Sequence, residues 1–330
     1  MILGLTGRNA AGKGEIAEFL KKGGFEYFSL SDELREGLRG RGIEPSRDAL
    51  IAEGRRVRQE EGLDSLARRV SRRFTQGLNQ VVDWIRNPEE VRFLRTCPDF
   101  FLVGVDAPAA VRFQRARRRA RPGDPVDLAA FEAAEARELQ SQDPAAQQLV
   151  ATLALADFLV LNDGDLPALH DKVRQVFRTA AGRMRRLSWD EYFLAIAEVV
   201  ATRANCAKRR VAAVVVKDHR IVSTGYNGTP RGTRNCTEGG CERCLSLAPS
   251  GSGLTDCLCC HAEENAIVQA AYHGVSLRGA TIYCTFQPCV LCTKMIINAG
   301  ICEVVYRSAY PLPEVARNLF HEAGVTVRNA

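Results

Sequence analysis

The feature that most constrains this chain is a pair of predicted helix starts whose side chains suit one shared metal ion. His261-Ala262-Glu263 opens a helix-patterned run that ends near Gly274, and Pro288-Cys289-Val290-Leu291-Cys292 opens a second that runs to Asn298. A Cys-x-x-Cys at a helix start puts both sulfurs on one face, and the positive end of the helix favours their thiolate forms. Pro288 suits the first turn, where no backbone donor is needed. One imidazole and two thiolates leave the fourth tetrahedral position of a Zn²⁺ ion open to water, which is the arrangement of a catalytic site. Glu263 then stands free to move protons.

Either half-motif alone is a weak signal. Together and in this order, each opening a helix after a strand or loop, they form the signature of the zinc nucleobase deaminases. The expected chemistry is attack of an activated water on C4 of a cytosine. Glu263 takes the water's proton, protonates ring N3 and helps the exocyclic amine leave as ammonia. The bland alternative is a closed structural zinc site with Glu263 as a solvated helix residue.

With 330 residues the chain has room for two ordinary domains, each with its own core. At 46% hydrophobic and 25% charged residues it reads as globular. The net charge of +6 is dispersed over many arginines, which suits anionic nucleotides rather than a nucleic acid polymer. No aromatic track for single strands is evident. No apolar run is long enough for a membrane span and no signal peptide precedes Ile2, so the expected setting is cytoplasmic. Eleven of the twelve cysteines lie after residue 200, several at metal-ligand spacing, which fits a reducing compartment with bound zinc better than a disulfide scaffold.

The first part, residues 1–180, opens with an apolar strand, Ile2 to Thr6, then Gly7-Arg8-Asn9-Ala10-Ala11-Gly12-Lys13-Gly14 and a helix. Strand, Gly-rich turn and helix in this order form a phosphate loop, in which backbone N–H groups and Lys13 cradle phosphates. Gly14 stands where Ser or Thr would hold Mg²⁺, which weakens catalysis more than phosphate binding. Val81 to Asp83, Phe101 to Asp106 and Phe158 to Leu161 read as buried parallel strands. Asp83 ends its strand where an acidic group orients Mg²⁺ or its waters, or merely caps the strand. Arg112, Arg115, Arg117, Arg118, Arg119 and Arg121 make a dense basic helix, either a solvated face or a lid over phosphates. With the segments Ser29 to Arg35 and Asp83 to Glu90, these features resemble the nucleoside monophosphate kinases. That resemblance implies a P-loop, kinase-like three-layer α/β/α domain, with nucleotide and Mg²⁺ at Gly7, Gly12, Lys13, Gly14 and Asp83.

Between Arg178 and Leu187 the chain turns small and basic, which reads as a linker before residues 187–330. The order beyond it is a helix from Trp189, a hairpin over Val211 to Val216 and Ile221 to Thr224, then α/β units. The segments Asn205 to Val211, Gly225 to Pro230, His261 to Ala266 and Cys284 to Gly300 resemble the cytidine deaminase superfamily, and within it the dCMP deaminases. Looser similarity over the whole chain reaches two-domain dCMP deaminases with a phosphate-loop module in front. The resemblance implies a mixed five-stranded sheet between helices, His261, Cys289 and Cys292 as zinc ligands and Glu263 as proton shuttle. It also implies conversion of dCMP to dUMP, activation by dCTP, inhibition by dTTP, and a homo-oligomer (dimer, trimer or hexamer). Asn227 matches the family asparagine that bonds the substrate sugar. Tyr306 and Tyr310 border the substrate phosphate or are simply core.

The cysteine-rich insertion offers Cys236, Cys241, Cys244, Cys257, Cys259 and Cys260, with zinc-ligand spacing at Cys241, Cys244, Cys257 and Cys259. Some dCMP deaminases hold a second, structural zinc there, with a cysteine matching Cys206 and a ligand matching Cys259. Which four cysteines bind stays open. Cys97, Cys284 and Cys302 read as small apolar fillers. The readings left open are dCTP as substrate in nucleotide depletion, and a bifunctional deaminase and nucleotide kinase.

Overall fold

The structure is a computed structural model that describes residues 1–119, 127–139, 143–246, 256–309 and 314–330. Its chain divides into two compact units, Met1–Arg185 and Arg186–Ala330.

In the first unit five parallel strands, β1 (Ile2–Gly7), β2 (Glu26–Ser29), β3 (Gln80–Asp83), β4 (Phe100–Asp106) and β5 (Phe158–Leu161), stand in the order β2-β3-β1-β4-β5. Helices α1 (Lys13–Lys22), α2 (Leu30–Gly40), α3 (Arg47–Glu61), α4 (Ser65–Ser71), α5 (Pro88–Leu94), α6 (Ala109–Arg119), α7 (Leu128–Leu139), α8 (Leu149–Leu153) and α9 (Leu166–Arg183) connect and cover them. The central strand β1 is buried from end to end, so it reads in sequence as a continuous apolar run. One core, with Leu3, Leu5, Ile16 and Val103, lies against α1 and α9; another, with Leu30, Val82, Val91 and Leu102, lies against α2 to α5. The stretch Arg178–Arg183, expected as linker, is the last part of α9, because Ala180 is wholly buried on the first of these cores and anchors the helix there.

The second unit holds a mixed five-stranded sheet in the order β10-β9-β8-β6-β7, formed by β6 (Ala212–Lys217), β7 (Arg220–Tyr226), β8 (Thr281–Phe286), β9 (Glu303–Ser308) and β10 (Thr326–Asn329). β6 runs antiparallel to both neighbours, and β8, β9 and β10 run parallel. The β6–β7 hairpin turns through Asp218 and His219, both at positive φ (50° and 58°), as a two-residue turn that follows the strand twist requires. Alternation along β6 sends Val214 and Val216 to helix α10 (Trp189–Ala201) and Ala213 and Val215 to the opposite face. That opposite face is covered by α12 (Ala262–Tyr272), α13 (Val290–Asn298) and α14 (Glu314–Glu322); a 3₁₀ turn (Cys236–Glu238) and the short α11 (Glu242–Leu245) belong to the insertion. Cys284 is buried in this core, whereas Cys302 is exposed: it precedes β9 in a loop, with its sulfur directed at the Ala280 carbonyl. Among the described residues no helix is long and apolar enough to cross a membrane.

Candidate active site

Two helix starts on the same side of the sheet build the site. His261 is the N-cap of α12, and its backbone N–H donates to Glu264 Oε2 at 3.0 Å. Cys289 is the N-cap of α13, and Thr293 returns a hydroxyl bond to its carbonyl at 3.0 Å. Pro288 therefore lies just outside the helix, not in its first turn, because Cys289 keeps an extended backbone. β7 fixes α12 from below: Ser223 Oγ donates to the Ala266 carbonyl at 2.7 Å, and Asn265 donates to the Tyr226 carbonyl at 2.8 Å. Gly225 between them has no room for a Cβ, which would meet the Ala262 carbonyl oxygen at 2.1 Å.

The structure brings His261, Cys289 and Cys292 together. His261 Nδ1 is 3.3 Å from Cys289 Sγ and 3.4 Å from Cys292 Sγ. Ligands on a tetrahedral zinc with bonds of about 2.0 and 2.3 Å would stand ~3.5 Å apart, so this donor set fits the ion. Without metal the three share protons. The hydrogen bond from Cys292, helped by the one from His261, pulls the Cys289 thiol down to about 4. Its thiolate pushes His261 up to about 9 and holds Cys292 protonated far above the usual thiol range. Glu263, in the first turn of α12, is 4% exposed, and burial raises its carboxyl above the usual range while the His261 charge opposes the rise.

Glu263 and His261 line a cavity of about 170 Å³ together with Asn227, Phe286 and Gln287. Lys208, Arg209 and Arg243 line the same cavity, and the Arg209 guanidinium lies 4.8 Å over the Phe286 ring. These cations were not singled out in the sequence as site residues; the Lys208-Arg209-Arg210 run just before β6 was the available signal. The Asn227 amide is engaged by the backbone, accepting from Val211 N at 2.8 Å and donating to the Arg209 carbonyl at 2.8 Å, so it braces the cationic loop. Tyr306 stands apart on β9, packed against the core, and Tyr310 lies outside the described residues.

Cys236, Cys241, Cys244, Cys257 and Cys259 of the insertion cluster with Cys206 from the loop before β6, and Cys206, Cys244, Cys257 and Cys259 also line the cavity with Glu263. In the first unit the turn after β1 carries Gly7 at φ 144° and Gly12 at φ 104°, and a Cβ on Gly12 would strike Asn162. Lys13 Nζ donates to the carbonyls of Gly7 (2.7 Å) and Arg8 (3.0 Å), and burial with Arg86 nearby lowers it to about 8. Asp83 is buried beside it and raised by that burial. Lys13, Gly14, Asp83, Arg115, Arg118 and Arg119 line one cavity of about 730 Å³. Arg112 is not part of such a lid: it is buried, donates to the Ala107 carbonyl and pairs with Glu135. Arg121 lies outside the described residues.

Residues 187–308 match the family described as the cytidine and deoxycytidylate deaminase zinc-binding region. That match places residues 187–308 among the zinc-binding deaminases. The chain is 34% identical over 99% of its length to the deoxycytidylate deaminase of Schizosaccharomyces pombe, covering 96% of that protein. It is 44% identical over 49% of its length to the deoxycytidylate deaminase of Saccharomyces cerevisiae, covering 50% of that protein. A crystal structure of the dCMP deaminase of cyanophage S-TIM5 with dCMP and dUMP is 33% identical, with 44% of this chain and 99% of that one covered and a TM-score of 0.38. The chain belongs to the deoxycytidylate deaminase family.

Proposed function

We propose that this enzyme hydrolyses dCMP to dUMP and ammonia at the cavity that holds Glu263. The observation that carries the reading is a buried carboxyl with a raised pKa beside a His-Cys-Cys donor set, on the floor of a cavity walled by three cations. A zinc ion held by His261, Cys289 and Cys292 supplies the Lewis acidity that brings a water's pKa from about 16 to about 7. Glu263 accepts that water's proton, delivers it to N3 of the cytosine ring, and then serves the departing amine. Burial raises its carboxyl, so Glu263 holds the proton taken from water better than an exposed carboxylate would and can carry it to N3. Lys208, Arg209 and Arg243 are suited to the 5′-phosphate, with Arg209 fixed on Phe286. Asn227 holds the loop that presents Lys208 and Arg209 and, lining the same cavity, is suited to the substrate sugar.

In Glu263→Gln zinc should stay bound while turnover falls by about 10²- to 10⁴-fold. Near-normal ammonia release from that variant refutes the role. Ammonia release from cytidine, dCMP, dCTP and a cytosine-containing oligonucleotide identifies the substrate, and preference for dCTP would move the function to triphosphate depletion.

The first unit supports a second, subordinate reading as a P-loop, kinase-like nucleotide-binding domain that acts as a sensor. Its phosphate loop follows the central strand, where the chain crosses from one half of the sheet to the other, which is where open α/β sheets bind ligands. Gly7, Gly12 and Lys13 shape the loop, Asp83 in the same cavity is suited to orienting Mg²⁺, and Gly14 offers no hydroxyl to it. Binding of dCTP or dTTP here would tune the deaminase by differential affinity for two states. Binding abolished in Lys13→Ala with no phosphoryl transfer supports a sensor; product formed from ATP and a nucleoside monophosphate supports a kinase. The cysteine insertion is suited to structural zinc, which a reducing, cytoplasmic setting maintains. Exposed Val268, Tyr272 and Leu291 on α12 and α13 support a homo-oligomer, which light scattering of the purified chain tests.

A further inference from the structure

The cysteine cluster in the second unit is larger than one tetrahedral ion requires. Its sulfurs fall into two sets, Cys206, Cys236, Cys244 and Cys259 in one and Cys241, Cys244, Cys257 and Cys259 in the other. Within each set all four sulfurs lie within 4.8 Å of one another, and the two sets share Cys244 and Cys259. We propose that the cluster holds two zinc ions bridged by the Cys244 and Cys259 thiolates, in addition to the ion at His261, Cys289 and Cys292. This goes beyond the single structural ion considered above and does not rest on the deaminase reading.

The distances fit. Four sulfurs around a zinc with bonds of about 2.3 Å stand ~3.8 Å apart along each tetrahedral edge. Here Cys206 to Cys244 and Cys244 to Cys257 are 3.7 Å, and Cys241 to Cys257 and Cys244 to Cys259 are 4.0 Å. The Cys244–Cys259 pair is thus an edge common to both tetrahedra. All of these separations are far from the ~2.0 Å of a disulfide. A single ion in either set would strand two cysteines of the other against it, and Cys236 and Cys241, one from each set, are both wholly buried. Two divalent ions with six thiolates carry the same net charge as one ion with four, so the second ion engages all six sulfurs without adding charge.

Backbone donors complete the site. Ala207 N–H points at Cys236 Sγ from 3.4 Å, the N–H groups of Lys208 and Arg209 bond Cys206, and those of Cys244 and Leu258 bond Cys241. N–H groups aimed at sulfur favour the thiolate that a metal needs. The cluster also ties together separate segments: the loop after α10, the 3₁₀ turn, α11, and Cys257 and Cys259 just ahead of His261. Cys260 in turn pairs with Gly228 through two backbone bonds, 2.9 and 3.2 Å long. The bridged centre therefore braces the wall that carries Lys208, Arg209 and Arg243.

The test is metal stoichiometry of the full chain, purified zinc-replete, by elemental analysis and native mass spectrometry. Three zinc ions per chain are expected, with Cys244→Ser losing two and Cys241→Ser losing no more than one. Should Cys244→Ser fail to fold, the wild-type chain reconstituted with cadmium must show two thiolate-ligated resonances coupled to each other through shared sulfur. Two zinc ions per chain with two cluster cysteines alkylated in the folded protein would overturn the proposal. So would iron in place of zinc, or fewer than all twelve cysteines titrating as thiols after denaturation in chelator. Three zinc ions without turnover of dCMP leave the bridged centre standing and refute the deaminase reading; two ions with full turnover do the reverse.

Discussion

Gly225 is where the sheet touches the active-site helix, and Gly225→Ala should damage stability and catalysis together. The added Cβ would lie 2.1 Å from the Ala262 carbonyl oxygen, 2.3 Å from Ala266 N and 2.9 Å from Ala266 Cα. Comfortable heavy-atom contacts lie at about 3.5 Å, so α12 must retreat from β7 by roughly 1 Å. All three obstructing atoms are backbone, and no rotamer change relieves them. Overpacking of this kind costs about 1–3 kcal/mol, and stretching the Ser223–Ala266 and Asn265–Tyr226 bonds adds about 1 kcal/mol each. A total of about 3–5 kcal/mol lowers the melting temperature of the second unit by roughly 10–16 °C. The same shift carries His261 and Glu263 away from Cys289 and Cys292, and a misplacement near 1 Å costs about 10²-fold in turnover. Thermal melts and kcat for dCMP read both effects, with Gly182→Ala, whose Cβ would meet nothing within 4 Å, as the control. A Gly225→Ala enzyme that melts and turns over like wild type would show that this contact does not position the site.

Three other outcomes follow from the proton balance of the structure. Loading zinc into the metal-free catalytic site near pH 7 should release two protons, one from His261 and one from Cys292, since Cys289 is already a thiolate; a pH-stat titration that finds no release contradicts the shared-proton arrangement. Lys13 at about 8 is largely neutral in the free loop above that pH, and a bound phosphate restores its charge, so nucleotide binding near pH 9 should take up a proton, visible by calorimetry in buffers of different ionisation enthalpy. Glu53, paired with Arg41 and Arg56, is lowered from 4.5 to about 2. A lowered carboxyl stabilises the fold above its unfolded pKa and loses that contribution as pH falls through its folded one. The urea stability gap between wild type and Glu53→Gln should therefore shrink from about pH 4.5 toward about pH 2; a gap that stays constant contradicts the pairing.

What could be read in the sequence followed the range of the signal. β1, β4 and the hairpin of β6 and β7 were legible because burial on both faces, or a local turn, writes itself into consecutive residues. β2 was missed because it is an edge strand, Glu26-Tyr27-Phe28-Ser29, only partly buried and without an apolar run. The donors His261, Cys289 and Cys292 were legible for the same local reason, since a helix start turns a spacing of three residues into one face. The arginine run on α6 shows the limit. Arg112, Arg115 and Arg119 share a helical face, yet Arg112 is spent on Glu135 and the Ala107 carbonyl while Arg115 and Arg119 reach Asn162 and Asn9 by the Gly-rich turn after β1. No periodicity distinguishes them; the partner's place in the fold does. The cavity wall obeys the same rule on a larger scale. Lys208 and Arg209 lie far along the chain from Arg243, and they share one cavity because the cysteines between and beyond them close the insertion on itself. If the cysteine cluster holds zinc as proposed, its loss should weaken dCMP binding before it affects the chemistry at Glu263.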